Sequence, residues 1–264
     1  MPTAQRKRAR TYDLARTRTA VLAQLDHVRA VVGALDEGRF ALPTRLGDWT
    51  VRELVTHIAL GVRSVGDGLA QPAPPAREIT LAEWPFATAG HAARVDTSVR
   101  EVAASEDPVG LLGRAADRFA ELSSGVPAER LLNARPGAMR LDDLLVTRCV
   151  ELVVHSDDLA AALGVGIPYD RQALAAVTRL LADALALKAP GGSVEVRVPP
   201  FAVVQCVEGP KHTRGTPPNV VETDPLTWIR LATGRTDWAT ALDAATVSAS
   251  GERADLTDHL PLLT

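Results

Sequence analysis

The residues best suited to chemistry lie in one apolar segment, residues 141–163. Glu151 and His155 are four residues apart, so on a helix they project from adjacent turns of one face. Arg148 and Asp158 fall on the same arc of about 80°. A helix that is apolar nearly all round is normally buried, and buried charges are costly unless they are paired or bind a metal. The segment therefore predicts either a metal site or a salt-bridged core cluster.

His57 is the candidate for a third ligand from a second helix. Thr50 and Glu53 have the spacing of a capping box, which predicts a helix that begins there and includes His57. Two imidazoles and a carboxylate are typical of catalytic zinc and also suit other first-row metals. Such a set leaves a coordination position open for water or a substrate. Taken alone, however, His57 is more typical of a packed core histidine.

Roles for the neighbouring residues follow from the same arc. Asp158 is placed to hydrogen-bond a ligand imidazole, and Arg148 to pair with Glu151 or to bind an anionic substrate. We predict both as catalytic residues. Cys149 lies in the same helix; we interpret it as a buried, inert thiol, with a reactive thiol as the alternative.

Bulk properties exclude several function classes. The chain has 264 residues, a formal net charge of -3 and two cysteines. This balance gives no general attraction to nucleic acid or anionic membrane, and no apolar run approaches the roughly 20 residues of a membrane helix. The cysteines form no paired framework. We expect a cytoplasmic monomer or homodimer whose partner is a small-molecule substrate or an apolar ligand.

The hydrophobic period changes near residue 190, which predicts two structural parts. The first part should be helical, with a loop at residues 66–77 and helices at residues 12–35, 50–62, 109–122, 141–163 and 170–187. The second should be mixed, with strands at residues 193–198, 201–207 and 246–250 and helices at residues 225–233 and 254–262. The predicted fold class is α+β.

Two motifs together resemble the DinB-like superfamily, and within it the N-terminal domain of mycothiol-dependent maleylpyruvate isomerase. They are residues 46–57 (LGDWTVRELVTH) and the pattern Arg148-x-x-Glu151-x-x-x-His155-x-x-Asp158. The resemblance implies a four-helix bundle over residues 10–188. It also implies a divalent metal, with zinc as our prediction, held by His57, Glu151 and His155. The implied chemistry is isomerisation or thiol transfer with mycothiol as co-substrate.

The remainder, residues 192–264, resembles bacterial sterol-carrier-protein-like domains. Residues 199–201, 224–234 and 247–252 carry this resemblance, which implies a small α/β domain with an apolar pocket. The isomerase family has a catalytic arginine in its own C-terminal domain, and Arg214 and Arg230 are the candidates for it here. Residues 208–219 read as a loop, either a lip over the site or a surface crossover. The alternative function is therefore a non-catalytic lipid or sterol carrier, with the bundle as scaffold.

Overall fold

Long helices build most of the molecule. The computed structural model describes residues 10–210 and 218–263; the predicted roles of residues 211–217, including Arg214, lie outside them. The α-helices, in chain order, are α1 (Leu14–Val32), α2 (Val51–Leu69), α3 (Trp84–Ala87), α4 (Ala92–Ser105), α5 (Pro108–Leu122), α6 (Leu141–Leu163), α7 (Arg171–Lys188), α8 (Pro225–Ala232) and α9 (Trp238–Asp243).

Four of these helices form a closed ring. α1 packs against α5 and α6, and α2 packs against the same two helices from the other side. Their facing sides bury a continuous apolar core, which stabilises the bundle because this surface leaves water. Fully buried members of the core include Leu25, Leu54, Phe119 and Leu145. The predicted four-helix bundle is confirmed.

A short hairpin and a helix cover one side of the bundle. Strands β1 (Leu131–Ala134) and β2 (Gly137–Arg140) pair antiparallel, and β2 leads directly into α6. Glu78 donates its backbone N–H to the Ala138 carbonyl at 2.8 Å, which attaches the preceding loop to the hairpin. Helix α4 packs against α2. These elements lie around the end of the bundle where α2 and α6 carry the candidate site.

The C-terminal part is a four-stranded mixed sheet. Its strands are β3 (Val194–Val198), β4 (Ala202–Cys206), β5 (Val220–Thr223) and β6 (Val247–Ser250), in the order β4-β3-β5-β6. β3 runs parallel to β5, and the other pairs are antiparallel. Val194, Val196 and Val198 of β3 are buried on one face, which accounts for the alternating sequence. The predicted α+β class is confirmed.

The sequence predictions differ from the structure at several elements. The predicted loop at residues 66–77 is wrong at its start, because α2 continues to Leu69. The predicted helix at residues 254–262 is wrong: this segment holds only a 3-10 turn at Thr257–His259. The Asp255 carboxylate accepts the Thr257 N–H, and Pro261 has no N–H with which to extend a helix. α4, α9, β5 and the hairpin were not predicted.

Helix α7 connects the helical bundle to the C-terminal part. It packs against α1 and α6 of the bundle and also against β4 and α8. None of the described helices combines the length and apolar character that crossing a membrane requires.

Candidate metal centre

Three predicted ligands meet between α2 and α6. One donor atom from each of His57, Glu151 and His155 lies within 4.8 Å of the other two. His57 Nε2 is 3.0 Å from Glu151 Oε2, and His155 Nε2 is 3.4 Å from the same oxygen. Glu151 and His155 share one face of α6, as their spacing requires. The structure thus brings together the residues singled out from the sequence.

The donor set fits a first-row divalent metal. Metal–ligand bonds of about 2.0–2.2 Å in a tetrahedral site place neighbouring donors about 3.4 Å apart, close to the two distances observed. His155 donates from Nδ1 to Asp158 Oδ2 at 2.8 Å, which leaves Nε2 directed at Glu151. A carboxylate behind a ligating imidazole is the common support for such ligands. The expected hydrogen bond between Asp158 and a ligand histidine is therefore present.

The surroundings keep Glu151 ionised. Burial by itself raises the pKa of Glu151, but hydrogen bonds from His155 and His57 and the charge of Arg148 outweigh it and hold this pKa well below its ordinary value. Burial acts to lower the pKa of His155, yet its hydrogen bonds to Asp158 and Glu151 raise it. A metal would have to compete with a proton at this imidazole.

His57 is held differently. Burial lowers the pKa of His57, so its neutral, ligating form is favoured. Its Nδ1 is buried and has no hydrogen-bond partner within residues 10–210 and 218–263. The Trp49 ring lies against it, with ring centroids 5.3 Å apart, and Trp49 Nε1 donates to Asp96 Oδ1 at 2.7 Å. The hydrogen bond to Glu151 and the packing of Trp49 together orient this ring.

A cavity of ≈ 170 Å³ opens beside His57 and Glu151. Its lining combines polar and apolar side chains drawn from the bundle, α3, α4 and the hairpin; besides the two candidate ligands they include Ser64, Trp84, His91, Asn133, Arg135 and Arg148. Arg135 is exposed, and no acidic side chain of the described residues lies within salt-bridge distance of it. The cavity therefore has a positive wall and a base of candidate metal ligands.

Arg148 lies in this wall, with its side chain 13% exposed, and has no close carboxylate. Its guanidinium donates to the Gly61 carbonyl at 3.2 Å and to Thr147 Oγ1 at 3.2 Å, whereas Glu151 Oε1 is 4.0 Å away. A Cβ at Gly61 would lie 3.1 Å from Arg148 Nη1, so the glycine permits this close approach. Burial lowers the pKa of Arg148. The arrangement leaves a desolvated cation facing the cavity.

Asp158 lies behind the site and does not reach the cavity. Its side chain is 0% exposed and accepts hydrogen bonds from Arg235 as well as from His155. Its neighbour Asp157 is paired with Arg230, whose Nε is 3.0 Å from Asp157 Oδ2. Arg230 is thus engaged between the two parts of the molecule and is not among the cavity-lining residues.

Cys149 faces the core of the bundle and not the cavity. It is fully buried, and burial raises the pKa of its thiol to about 12. A thiol with such a pKa is protonated at neutral pH and is a poor nucleophile. The interpretation as an inert core residue agrees with this environment.

Sequence reasoning missed residues that only the tertiary fold brings to the site. Arg45 lies in the loop before α2, and Arg235 follows α8; both pair with Asp158. Arg135 and His91 line the cavity from a hairpin turn and a 3-10 turn. None has a local partner pattern, so spacing along the chain gave no signal for them.

The fold and the candidate site together define a two-domain protein: a helical bundle with a His-Glu-His cluster, followed by a small α/β domain. Residues 21–160 match the family profile described as "Mycothiol maleylpyruvate isomerase N-terminal domain", and residues 170–262 match "Bacterial SCP ortholog". The chain belongs to the mycothiol maleylpyruvate isomerase N-terminal domain family. The predicted domain limits, residues 10–188 and 192–264, remain predictions beside these ranges.

Similar solved structures share the whole architecture. Two crystal structures of mycothiol-dependent maleylpyruvate isomerase, one of them of a histidine-to-alanine mutant, match with TM-scores of 0.60. Each match covers 96% of this chain and 97% of the isomerase chain. The sequence identity is 15% for the unmutated isomerase and 14% for the mutant. At this identity the likeness establishes a common fold. A search of curated proteins returns no match.

Proposed function

We propose that this chain is a metal-dependent enzyme that uses a low-molecular-weight thiol, of the mycothiol type, to isomerise or to thiolate a small electrophilic substrate. The observation that carries the proposal is the convergence of His57, Glu151 and His155, two of which, His57 and Glu151, line a cavity with a positive wall. The family match and the isomerase fold support the choice of the thiol.

The three donors would hold the metal, and zinc suits two imidazoles and one carboxylate. When bound, such a metal supplies Lewis acidity that stabilises a thiolate at neutral pH. Glu151 contributes a negative charge and His57 a neutral imidazole. Asp158 is too deeply buried to touch a substrate, so we assign it as a positioning residue for His155.

Arg148 would bind the anionic part of the substrate. Its guanidinium has only neutral hydrogen-bond acceptors and lies on the cavity wall, so a carboxylate there would find a charge-assisted partner. Arg135, at the cavity rim, adds a second positive charge that attracts an anion. The substrate class we propose is a small carboxylate with an electrophilic carbon.

Metal content tests the first part of the proposal. Protein purified without chelator should contain close to one equivalent of zinc or a similar metal, and His57→Ala should lose most of it. His259→Ala, in the C-terminal 3-10 turn, is the matched control and should keep the metal. A wild-type protein without bound metal, or a His57→Ala variant with full occupancy, would contradict the proposal.

Thiol binding tests the second part. Mycothiol should raise the melting temperature of the metal-loaded protein increasingly with its concentration, because a ligand that binds only the native state stabilises it. S-methylated mycothiol, which has no free thiolate, is the control and should stabilise less. Equal stabilisation by the two compounds would contradict the proposed contact between the thiolate and the metal.

A carrier function is the second candidate, and the match of residues 170–262 to a bacterial SCP profile favours it. In this case the C-terminal domain would hold an apolar ligand, and the bundle would serve as its scaffold. Native mass spectrometry of the purified chain should then reveal co-purified lipid that mutations in β4 displace. Absence of any apolar ligand would count against this candidate.

A further inference from the structure

The carboxylate of Asp158 connects three separate parts of the chain. It lies in α6 of the bundle and is completely buried. It accepts hydrogen bonds from Arg45 in the loop before α2, from His155 one turn earlier in α6, and from Arg235 in the C-terminal domain. A buried carboxylate in such a network is fixed by all its donors, and each donor depends on the others.

Arg235 binds both oxygens of this carboxylate. Oδ1 accepts from Arg45 Nε and, at 3.3 Å, from Arg235 Nε. Oδ2 accepts from His155 Nδ1 at 2.8 Å and from Arg235 Nη2 at 3.0 Å. The oxygen that orients the candidate metal ligand is therefore also bound by the C-terminal domain.

Arg235 is itself held in place. Its Nη1 donates to the Thr233 carbonyl at 2.7 Å, and its side chain is 17% exposed. Its backbone N–H donates to the Arg230 carbonyl at 2.7 Å, which fixes the chain just after α8. The guanidinium thus reaches the bundle from a rigid position in the second domain.

We propose that Arg235 is a positioning residue of the metal centre, through which the C-terminal domain fixes Asp158 and thereby the imidazole of His155. The inference rests on the metal site of the proposed function and adds a role for the second domain in it. Groups behind a metal ligand typically change metal affinity by about 10- to 100-fold when removed. The C-terminal domain, which carries none of the candidate metal ligands, would still influence how tightly those ligands bind the metal.

The adjacent ion pair offers a matched control. Arg230 also reaches from the C-terminal domain to α6, where it binds Asp157 through two nitrogens. Asp157 has no hydrogen bond to a candidate ligand among the described residues. Removing Arg230 therefore breaks one contact between the domains, as removing Arg235 does, but leaves the support of His155 intact.

The test is zinc affinity of the full chain, measured by competition with a chromophoric chelator. Arg235→Met should bind zinc about 10-fold or more weakly than wild type, and Arg235→Lys should recover part of the loss. Arg230→Met should stay within about 2-fold of wild type, as expected for a group that does not touch the site. The visible absorption bands of the cobalt-loaded protein should change in Arg235→Met and not in Arg230→Met.

Hydrogen exchange of the wild-type chain gives a readout that needs no variant. Coupling is reciprocal, so zinc should slow amide exchange at residues 225–236, and Asp158→Asn should abolish this effect. Equal zinc affinities of Arg235→Met and Arg230→Met, an affinity increase in Arg235→Met, or unchanged exchange would each overturn the inference. A wild-type chain that binds no zinc would instead contradict the proposed function itself.

Discussion

At the residue scale, Glu151 is the centre of the site because both histidines direct Nε2 at one of its oxygens. A partly buried carboxylate ordinarily resists ionisation, but here the neighbouring imidazoles and Arg148 overcome the cost of burial. The charge that results is the strongest attraction the site offers to a cation. It also holds two imidazoles close together, at a ring-centroid distance of 4.8 Å.

Glu151→Gln should therefore impair metal binding more than any change behind the ligands. The amide keeps the shape of the side chain but loses the negative charge. We therefore expect zinc affinity to fall by more than about 100-fold, the largest loss typical of groups that only support a ligand. Chelator competition measures it, with Glu121→Gln on the exposed face of α5 as control. An affinity within 10-fold of wild type would mean that Glu151 is only a hydrogen-bond acceptor here.

Arg148→Met should weaken both stability and anion binding. The Arg148 guanidinium stabilises the Glu151 carboxylate and donates to the Gly61 carbonyl, so its replacement by an apolar side chain should lower the free energy of unfolding by about 1–3 kcal/mol. The same variant should bind maleate, a small dicarboxylate probe, more weakly, as followed through the cobalt absorption bands. Lower stability with unchanged maleate binding would assign Arg148 a purely structural role.

Whether a site residue could be predicted depends on how far it lies along the chain from its partners. Glu151 and His155 were predicted from helix geometry, because they lie one turn apart on the same face of α6. His57 was selected by family resemblance, since nothing local pairs it with a residue 94 positions away. Arg45 and Arg235 were beyond prediction because their only connection to Asp158 is through the tertiary fold.

At the element scale, the start of α2 determines where His57 lies. The Glu53 carboxylate accepts the Thr50 backbone N–H at 2.8 Å, and Val51 donates its N–H to the Leu42 carbonyl at 2.9 Å. These bonds fix the first turn of the helix, two turns before His57. The sequence was sufficient to predict this helix start because a capping box is a local signal.

Thr50→Ala should weaken this helix start. Loss of a capping hydroxyl typically costs about 0.5–2 kcal/mol, so the free energy of unfolding should fall by this amount. Urea denaturation measures it, and Thr97→Ala on the surface of α4 is the control. An equal decrease in the free energy of unfolding of both variants would show that the Thr50 cap does not stabilise the helix start.

Other elements escaped prediction for two reasons. Helix α4 has Val95, Val99 and Val102 at helical spacing, a local signal that sequence reasoning missed, although the helix buries only Val99 and Ala103. The strand β5 is four residues long and becomes a strand only by pairing with β3 and β6. The long bundle helices were predicted within a few residues, except that α2 continues to Leu69, seven residues beyond its predicted end at residue 62.

At the scale of the whole molecule, ion pairs between the domains should make the free energy of unfolding depend on pH in the acid range. Burial raises the pKa of Asp157, but hydrogen bonds from Arg230 and Arg45 outweigh it, so the folded pKa lies below the unfolded value. Such a group contributes stability that is fully present above the unfolded pKa of about 3.9 and is lost as pH falls through the folded pKa.

The free energy of unfolding in urea should therefore decrease steeply below about pH 4, and Asp157→Asn should show a smaller decrease. Asp26→Asn, at an exposed and loosely paired aspartate, is the control and should follow wild type. The measurement is made at pH 7, 5, 4 and 3 at constant ionic strength. Parallel pH profiles of wild type and Asp157→Asn would contradict the prediction.

Part of the cavity wall lies outside the closed ring of helices that carries the candidate ligands. Ser64 and Arg148 of the wall belong to α2 and α6, like the ligands. His91, Asn133 and Arg135 instead come from turns and a hairpin outside the ring. These three residues can be exchanged without repacking the ring. Under the proposed function, substrate preference can therefore diverge or be redesigned there while the candidate metal ligands are inherited unchanged.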